Sequence, residues 1–200
     1  MYKRQAEDEP SKYHGVAPFL ISKGVQPSSG RTSSFTQLAG QYLLEKAEAD
    51  QRIVAISAAM TSGCGLSAFA QKFPERFFDV GISEQHAATL AAGLAAGGLR
   101  PVLALYSTFL QRAVDQVLHD ICLQNLPVTI LLDHAGLVSH DGETHQGIYD
   151  LALLGSLPNL ELLAPADAAD VKACLDYALN RNGPTVLRYP KDNAPAALPF

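Results

Sequence analysis

The stretch Asp79-Val-Gly-Ile-Ser-Glu-Gln-His86 places a carboxylate, Glu84, where a short apolar run and a glycine turn give way to an Ala/Gly-rich segment. The free N–H groups of a helix's first turn favour a carboxylate there, and an apolar wall beside it raises its affinity for a shared proton. The plainer alternative is Ser83 as the helix cap and Glu84 as an ordinary complement to the helix dipole. Farther along, Arg112, Asp115 and His119 stand at i, i+3 and i+7, which predicts one shared helix face. Read alone, Arg112 and Asp115 would form a surface ion pair worth tenths of a kcal/mol. A third group lies in Asp133-His-Ala-Gly-Leu-Val-Ser-His-Asp-Gly-Glu-Thr-His-Gln-Gly147, with His134, Asp141 and His145 among its polar residues. His140, Asp141 and His145 lack the spacing of zinc ligands, so no metal is expected on this loop. The alternative for Asp141-Gly142 is a plain turn, with His145 on a loop surface.

Alternating elements must position these groups. Short strand-like runs are predicted at Ile53–Ser57, Arg76–Val80, Pro101–Tyr106, Val128–Asp133, Leu160–Leu163 and Thr185–Arg188. Amphipathic stretches at Leu66–Lys72, Glu84–Ala96, Thr108–Gln124 and Asp167–Asn180 separate most of them, and Ser34 is placed to cap a further helix. Val128-Thr-Ile-Leu-Leu is apolar on both faces, as in a parallel strand covered on each side. The pattern predicts an α/β fold, a doubly wound and mostly parallel sheet with helices on both faces. Ligands of such sheets lie beyond the carboxyl ends of the strands, where all three groups fall. Residues 1–33 are polar and proline-containing and are expected to form an arm or linker before a domain at 34–200.

Composition excludes several functions. Fifteen basic against 20 acidic residues give a net charge of −5 with no basic cluster, which argues against nucleic acid or an anionic membrane as partner. The apolar run from Ala87 to Leu99 is shorter than the roughly 20 residues of a membrane span, and no secretory signal is seen. The three cysteines lack paired spacing, as expected of free thiols in a reducing, cytoplasmic compartment.

Longer strings carry a resemblance. Val80-Gly-Ile-Ser-Glu-Gln-His86, Tyr106-Ser-Thr-Phe-Leu-Gln-Arg-Ala-Val-Asp-Gln116, the Asp133–Gly147 loop and Arg188-Tyr-Pro together resemble the central, pyrimidine-binding domain of the 1-deoxy-D-xylulose-5-phosphate synthase family. These are transketolase-like enzymes that use thiamin diphosphate. The resemblance implies that Glu84 hydrogen-bonds the aminopyrimidine ring and promotes loss of the thiazolium C2 proton, while Phe109 packs on that ring. It implies that Tyr106, Arg112 and Arg188 face a sugar-phosphate acceptor, and that Asp141 and His145 line the site. His14, on the segment before the domain, matches an active-site histidine. The sequence departs from the family at His134, where an arginine that grips the acceptor's phosphate is usual, and at Ser139, which replaces a glycine.

By the same resemblance the substrates are pyruvate and D-glyceraldehyde 3-phosphate, and the assembly a homodimer. Family members hold the cofactor's diphosphate through magnesium on an N-terminal domain, using Gly-Asp-Gly and a later Asn. That pattern is absent from these 200 residues, so diphosphate-binding and C-terminal domains are expected as missing partners, and the chain alone is expected to be inactive. Two other readings fit the same residues: a split transketolase or a dehydrogenase E1 β-like subunit with another acceptor, or a non-catalytic dimerisation module.

Overall fold

The computed structural model describes residues 4, 7, 8, 10–14, 16, 21, 22, 33–138 and 141–196. The chain divides into two compact units, Met1–Arg31 and Thr32–Phe200. In the first, Pro10–Tyr13 form a four-residue helix, α1, where the sequence predicts extended chain.

The second unit opens with α2, Phe35–Ala49, capped as Ser34 predicts: its side chain accepts from the Gln37 amide while Gln37 returns a bond to the Ser34 N–H. All six predicted strands are present: β1 (Ile53–Ser57), β2 (Phe77–Asp79), β3 (Arg100–Tyr106), β4 (Thr129–Asp133), β5 (Glu161–Leu163) and β6 (Thr185–Arg188). They form one six-stranded sheet in the order β2-β1-β3-β4-β6-β5, every pair parallel. Helices α3 (Ser67–Lys72), α4 (Glu84–Ala96), α7 (Asp150–Leu154) and α8 (Ala168–Asn180) join α2 around it. Among the described residues, no helix is long and apolar enough to cross a membrane.

Strand alternation sorts side chains into two cores. Ile53, Ala55, Val102, Ala104, Leu131 and Leu187 pack with α2 and α8 on one face. Ile56, Leu103, Leu105, Ile130, Leu132 and Val186 pack with the alanines of α4 on the other. The register Tyr106↔Asp133 and Leu132↔Arg188 continues that alternation to the carboxyl edge. Tyr106 and Asp133 therefore point to the α2 face and Arg188 to the α4 face.

One predicted element differs. Thr108–Gln124 is not a continuous helix but α5 (Ser107–Leu110), a 3₁₀ turn at Gln111–Ala113, α6 (Val114–Gln116) and a π-helical turn at Val117–Cys122. Ala113, at φ −124°, departs from helical geometry and breaks the run. Arg112 and Asp115 consequently share no ion pair; Arg112 turns to Glu84 instead. Thr89 of α4 donates to Asp120 at 2.6 Å and fastens the π turn to α4.

Candidate active site

Glu84 depends on a small hub one strand away. The Asp79 carboxylate accepts from the Ala59 amide (2.8 Å), the Gly81 amide (3.0 Å) and the Thr61 hydroxyl (2.9 Å), tying the turns after β1 and β2 together ahead of α4. Gly81 has φ +72°, a conformation that favours glycine and turns the chain into the helix. Burial raises the Asp79 carboxyl's proton affinity, but these three donors outweigh it and hold the group below its ordinary value. A carboxyl lowered on folding stabilises the fold at pH values above its unfolded pKa of about 4, and that contribution fades as pH falls through the lower folded value. Asp79→Asn should therefore lose under about 1 kcal/mol near neutrality, the group being exposed, and the gap to the parent should close below pH 4 in acid-urea melts.

Ser83 makes no side-chain cap, although Glu84 does stand as the acidic residue of the first turn of α4. Glu84 is 3% exposed, and its Oε2 has no hydrogen-bond partner in the chain. Arg112 Nη1 stands 3.6 Å from that oxygen, too far for a hydrogen bond, and is itself largely in solvent. A buried carboxylate oxygen without a donor is costly to the fold.

Four rings stand in sequence at the same edge of the sheet. His134 stacks on Tyr106 at 3.7 Å between centroids, Tyr106 stacks on Phe109 at 5.5 Å, and His145 meets Phe109 edge-on at 5.7 Å. Burial, then the nearby Cys64, Asp133 and Asp141, push the Tyr106 phenol far up, so it stays protonated and can donate. His134 is 4% exposed and sits at φ +57°, a left-handed backbone held because Asp133 Oδ1 accepts from both its amide (2.7 Å) and its Nδ1 (2.8 Å). Asp133 Oδ2 accepts from Thr36 of α2 at 2.6 Å.

The loop after β4 folds back on itself. Gly136 and Gly147 exchange backbone hydrogen bonds of 2.7 and 2.9 Å. Gln146 binds both the Val138 amide and carbonyl, and also the carbonyls of Asp141 and Gly142. Asp141 receives Lys191 Nζ at 3.0 Å, with His134 Nε2 4.0 Å away. Gly147 allows this closure: a Cβ there would lie 2.2 Å from the His134 carbonyl oxygen and 2.8 Å from the Ser107 side chain. Gly147→Ala should cost about 1–3 kcal/mol in thermal melts, because backbone must move, and should shift the His134 and His145 ring resonances.

Arg188, at the end of β6, lies on Asp150 with Nε–Oδ2 2.7 Å. The structure thus brings Glu84, Tyr106, Phe109, Arg112, His134, Asp141, His145 and Arg188 to one edge of the sheet. His14 is exposed in the first unit and is not placed relative to them. Ser139 and His140 lie outside the described residues. Sequence reading passed over Asp133 as a hub, Gln146, Asp150 and Lys191. The string Gly147-Ile-Tyr-Asp150 offered one signal, a lone carboxylate heading a short apolar turn. Among the described residues no group of His, Cys, Asp and Glu could hold a metal ion.

Comparison with known proteins agrees with this fold. The family model for the transketolase pyrimidine-binding domain matches residues 31–196. The 1-deoxy-D-xylulose-5-phosphate synthase of Desulforudis audaxviator is 56% identical over 186 residues, 93% of this chain and 29% of that protein. Those of Clostridium perfringens (strain SM101) and Treponema pallidum (strain Nichols) are 53% and 52% identical over 93% and 95% of the chain, and 30% of each protein. The chain spans under a third of the length of these curated relatives. A split-gene transketolase described as an inactive β4 tetramer superposes with a TM-score of 0.74 at 34% identity, covering 84% of this chain and 55% of that one. Transketolase from Leishmania mexicana, at 21% identity and TM-score 0.75 over 96% of this chain and 31% of that one, shares the fold. Since the family match runs from ahead of the first strand to beyond the last, the chain belongs to the transketolase pyrimidine-binding domains.

Proposed function

We propose that this chain is the pyrimidine-binding part of a 1-deoxy-D-xylulose-5-phosphate synthase. The complete enzyme would join pyruvate, with decarboxylation, to D-glyceraldehyde 3-phosphate. The observation that carries the reading is the buried, unpartnered Oε2 of Glu84, together with relatives above 50% identity that bear that name.

Thiamin diphosphate fits the residues present: a flat ring with an N–H would satisfy Glu84 and lie against Phe109. When bound, it supplies the electron sink that lets an α-keto acid lose carbon dioxide and its acyl carbon attack an aldehyde. Glu84 holds the proton it shares with the ring, and the aromatic wall of Tyr106 and Phe109 excludes water. His145 and Asp141 hold and move protons at the acceptor's oxygens. Arg112, Arg188 and the Tyr106 hydroxyl orient the acceptor.

The diphosphate and its magnesium belong to a separate domain in this reading, and a further C-terminal domain and a second copy of the chain complete a cytoplasmic homodimer. Phosphate and magnesium contacts are charge-assisted and carry much of such a ligand's affinity. Calorimetric titration of this chain with thiamin diphosphate should therefore give millimolar or weaker binding; micromolar binding without a partner would refute the placing of the diphosphate grip on a separate domain.

A second reading has one specific observation behind it. His134 is buried and committed to Asp133 through Nδ1, so it offers a single nitrogen where a guanidinium would offer a fork. In a split transketolase or a dehydrogenase E1 β-like subunit this nitrogen would face another acceptor. Combining the chain with a diphosphate-binding partner and assaying pyruvate against pentose phosphates separates the two.

A further inference from the structure

Arg188 ends β6 on the α4 face, two residues beyond the fully buried Val186, which pairs with Ile130, so its guanidinium sits at the rim between core and solvent. Its partner Asp150 is 3% exposed and heads α7. The pairing is side-on: Nε donates to Oδ2 at 2.7 Å and Nη2 approaches Oδ1 at 3.4 Å. Two of the five guanidinium N–H groups are engaged, and both hydrogens of Nη1 and one of Nη2 are left to face a ligand.

Stability does not account for this arrangement. A carboxylate taken almost wholly out of water loses about as much hydration energy as the ion pair returns, and an apolar pair would serve the fold as well. Asp150 also lies three residues past Gly147, whose bridge to Gly136 closes the loop carrying Asp141 and His145. One short segment therefore sets both the loop's closure and the arginine's direction.

We propose that Asp150 is a positioning residue that aims Arg188 Nη1 at an anionic group of the acceptor. This deepens the acceptor reading given above and rests on it. A fixed fork discriminates a phosphate oxygen by direction, whereas a freely rotating cation only adds charge.

The test uses inorganic phosphate as probe and the Arg188 Nε–Hε resonance of this chain as reporter. Asp150→Asn removes a negative charge but keeps the shape; Asp150→Glu keeps the charge but displaces the carboxylate by one methylene. If Asp150 only neutralised Arg188, the first variant would bind phosphate more tightly and the second unchanged. Positioning requires both to bind at least about fivefold more weakly. Asp150→Glu retains the ion pair, so it keeps the comparison open should Asp150→Asn not fold. Equal or tighter phosphate binding by either folded variant overturns the inference alone. A parent chain with no response at Arg188, or an Arg188→Gln chain that binds phosphate as well as the parent, overturns the acceptor role of Arg188 and the inference with it.

Discussion

Replacing Glu84 by glutamine is expected to raise the stability of this chain while removing the activity of the enzyme that carries it. The parent buries a carboxylate whose Oε2 finds no donor, and the nearest cation is 3.6 Å away on a solvent-exposed arm. An unsatisfied buried polar atom costs about 1–3 kcal/mol, and the exposed arginine returns little of it. Glutamine keeps the volume and removes the charge, so melting should rise by about 2–4 °C for each kcal/mol recovered. In a protein completed by its diphosphate-binding domain, the same change should lower kcat by at least about 100-fold, the scale of lost proton transfer. Differential scanning calorimetry and steady-state rates read the two effects separately. An unchanged or lowered melting temperature would mean that the carboxylate is already satisfied, and the cofactor assignment would lose its main support.

The opposite sign is expected at Asp133. This carboxyl is 0% exposed and accepts from the Thr36 hydroxyl, the His134 amide and His134 Nδ1. Asp133→Ala leaves three donors of the interior without an acceptor and frees the left-handed backbone of His134 from the contacts that hold it. The combined loss should be about 3–5 kcal/mol, less than the sum of three separate penalties because neighbouring effects overlap. Urea unfolding measures it, and it is a large share of the 5–15 kcal/mol typical of a domain. Asp133→Asn should cost about half as much, since its amide oxygen still accepts and its NH₂ can donate to Thr36. The His134 ring should also leave the Tyr106 face in the alanine variant, seen as a loss of ring-current shift.

These two residues show where sequence reading reaches and where it stops. The six strands were legible because local β-branched runs such as Ile53–Ser57 and Thr129–Leu132 report burial on both faces. Ser34 was legible as a cap because its partner Gln37 is three residues away. Glu84 could be placed in a first turn from its neighbours, but whether it was dry or wet depends on Arg112 and on elements far along the chain. Asp133 looked like the last residue of an apolar strand, and its partner Thr36 is 97 positions away. The break at Ala113 was hidden as well: Tyr106-to-Gln116 reads as helix by composition, and nothing local to it signals the change at Ala113. The Asp150–Arg188 pair spans 38 positions and has no periodic trace.

The strand order carries a consequence for how the molecule is made. β4 pairs with β3 on one side, but its other neighbour is β6, the last strand of the chain. A chain emerging from the ribosome can assemble β1, β2, β3 and β4 while one edge of β4, flanked by Ile130, Leu131 and Leu132, stays open. β5 cannot seal it, because β5 docks only on β6. Contacts of such long sequence separation form slowly, and an open apolar edge in the meantime invites pairing with other chains. The closing event that ends this exposure also delivers Arg188 to Asp150. The Asp150–Arg188 pair therefore forms only once β6 has docked on β4, and a sheet still open along that edge lacks it.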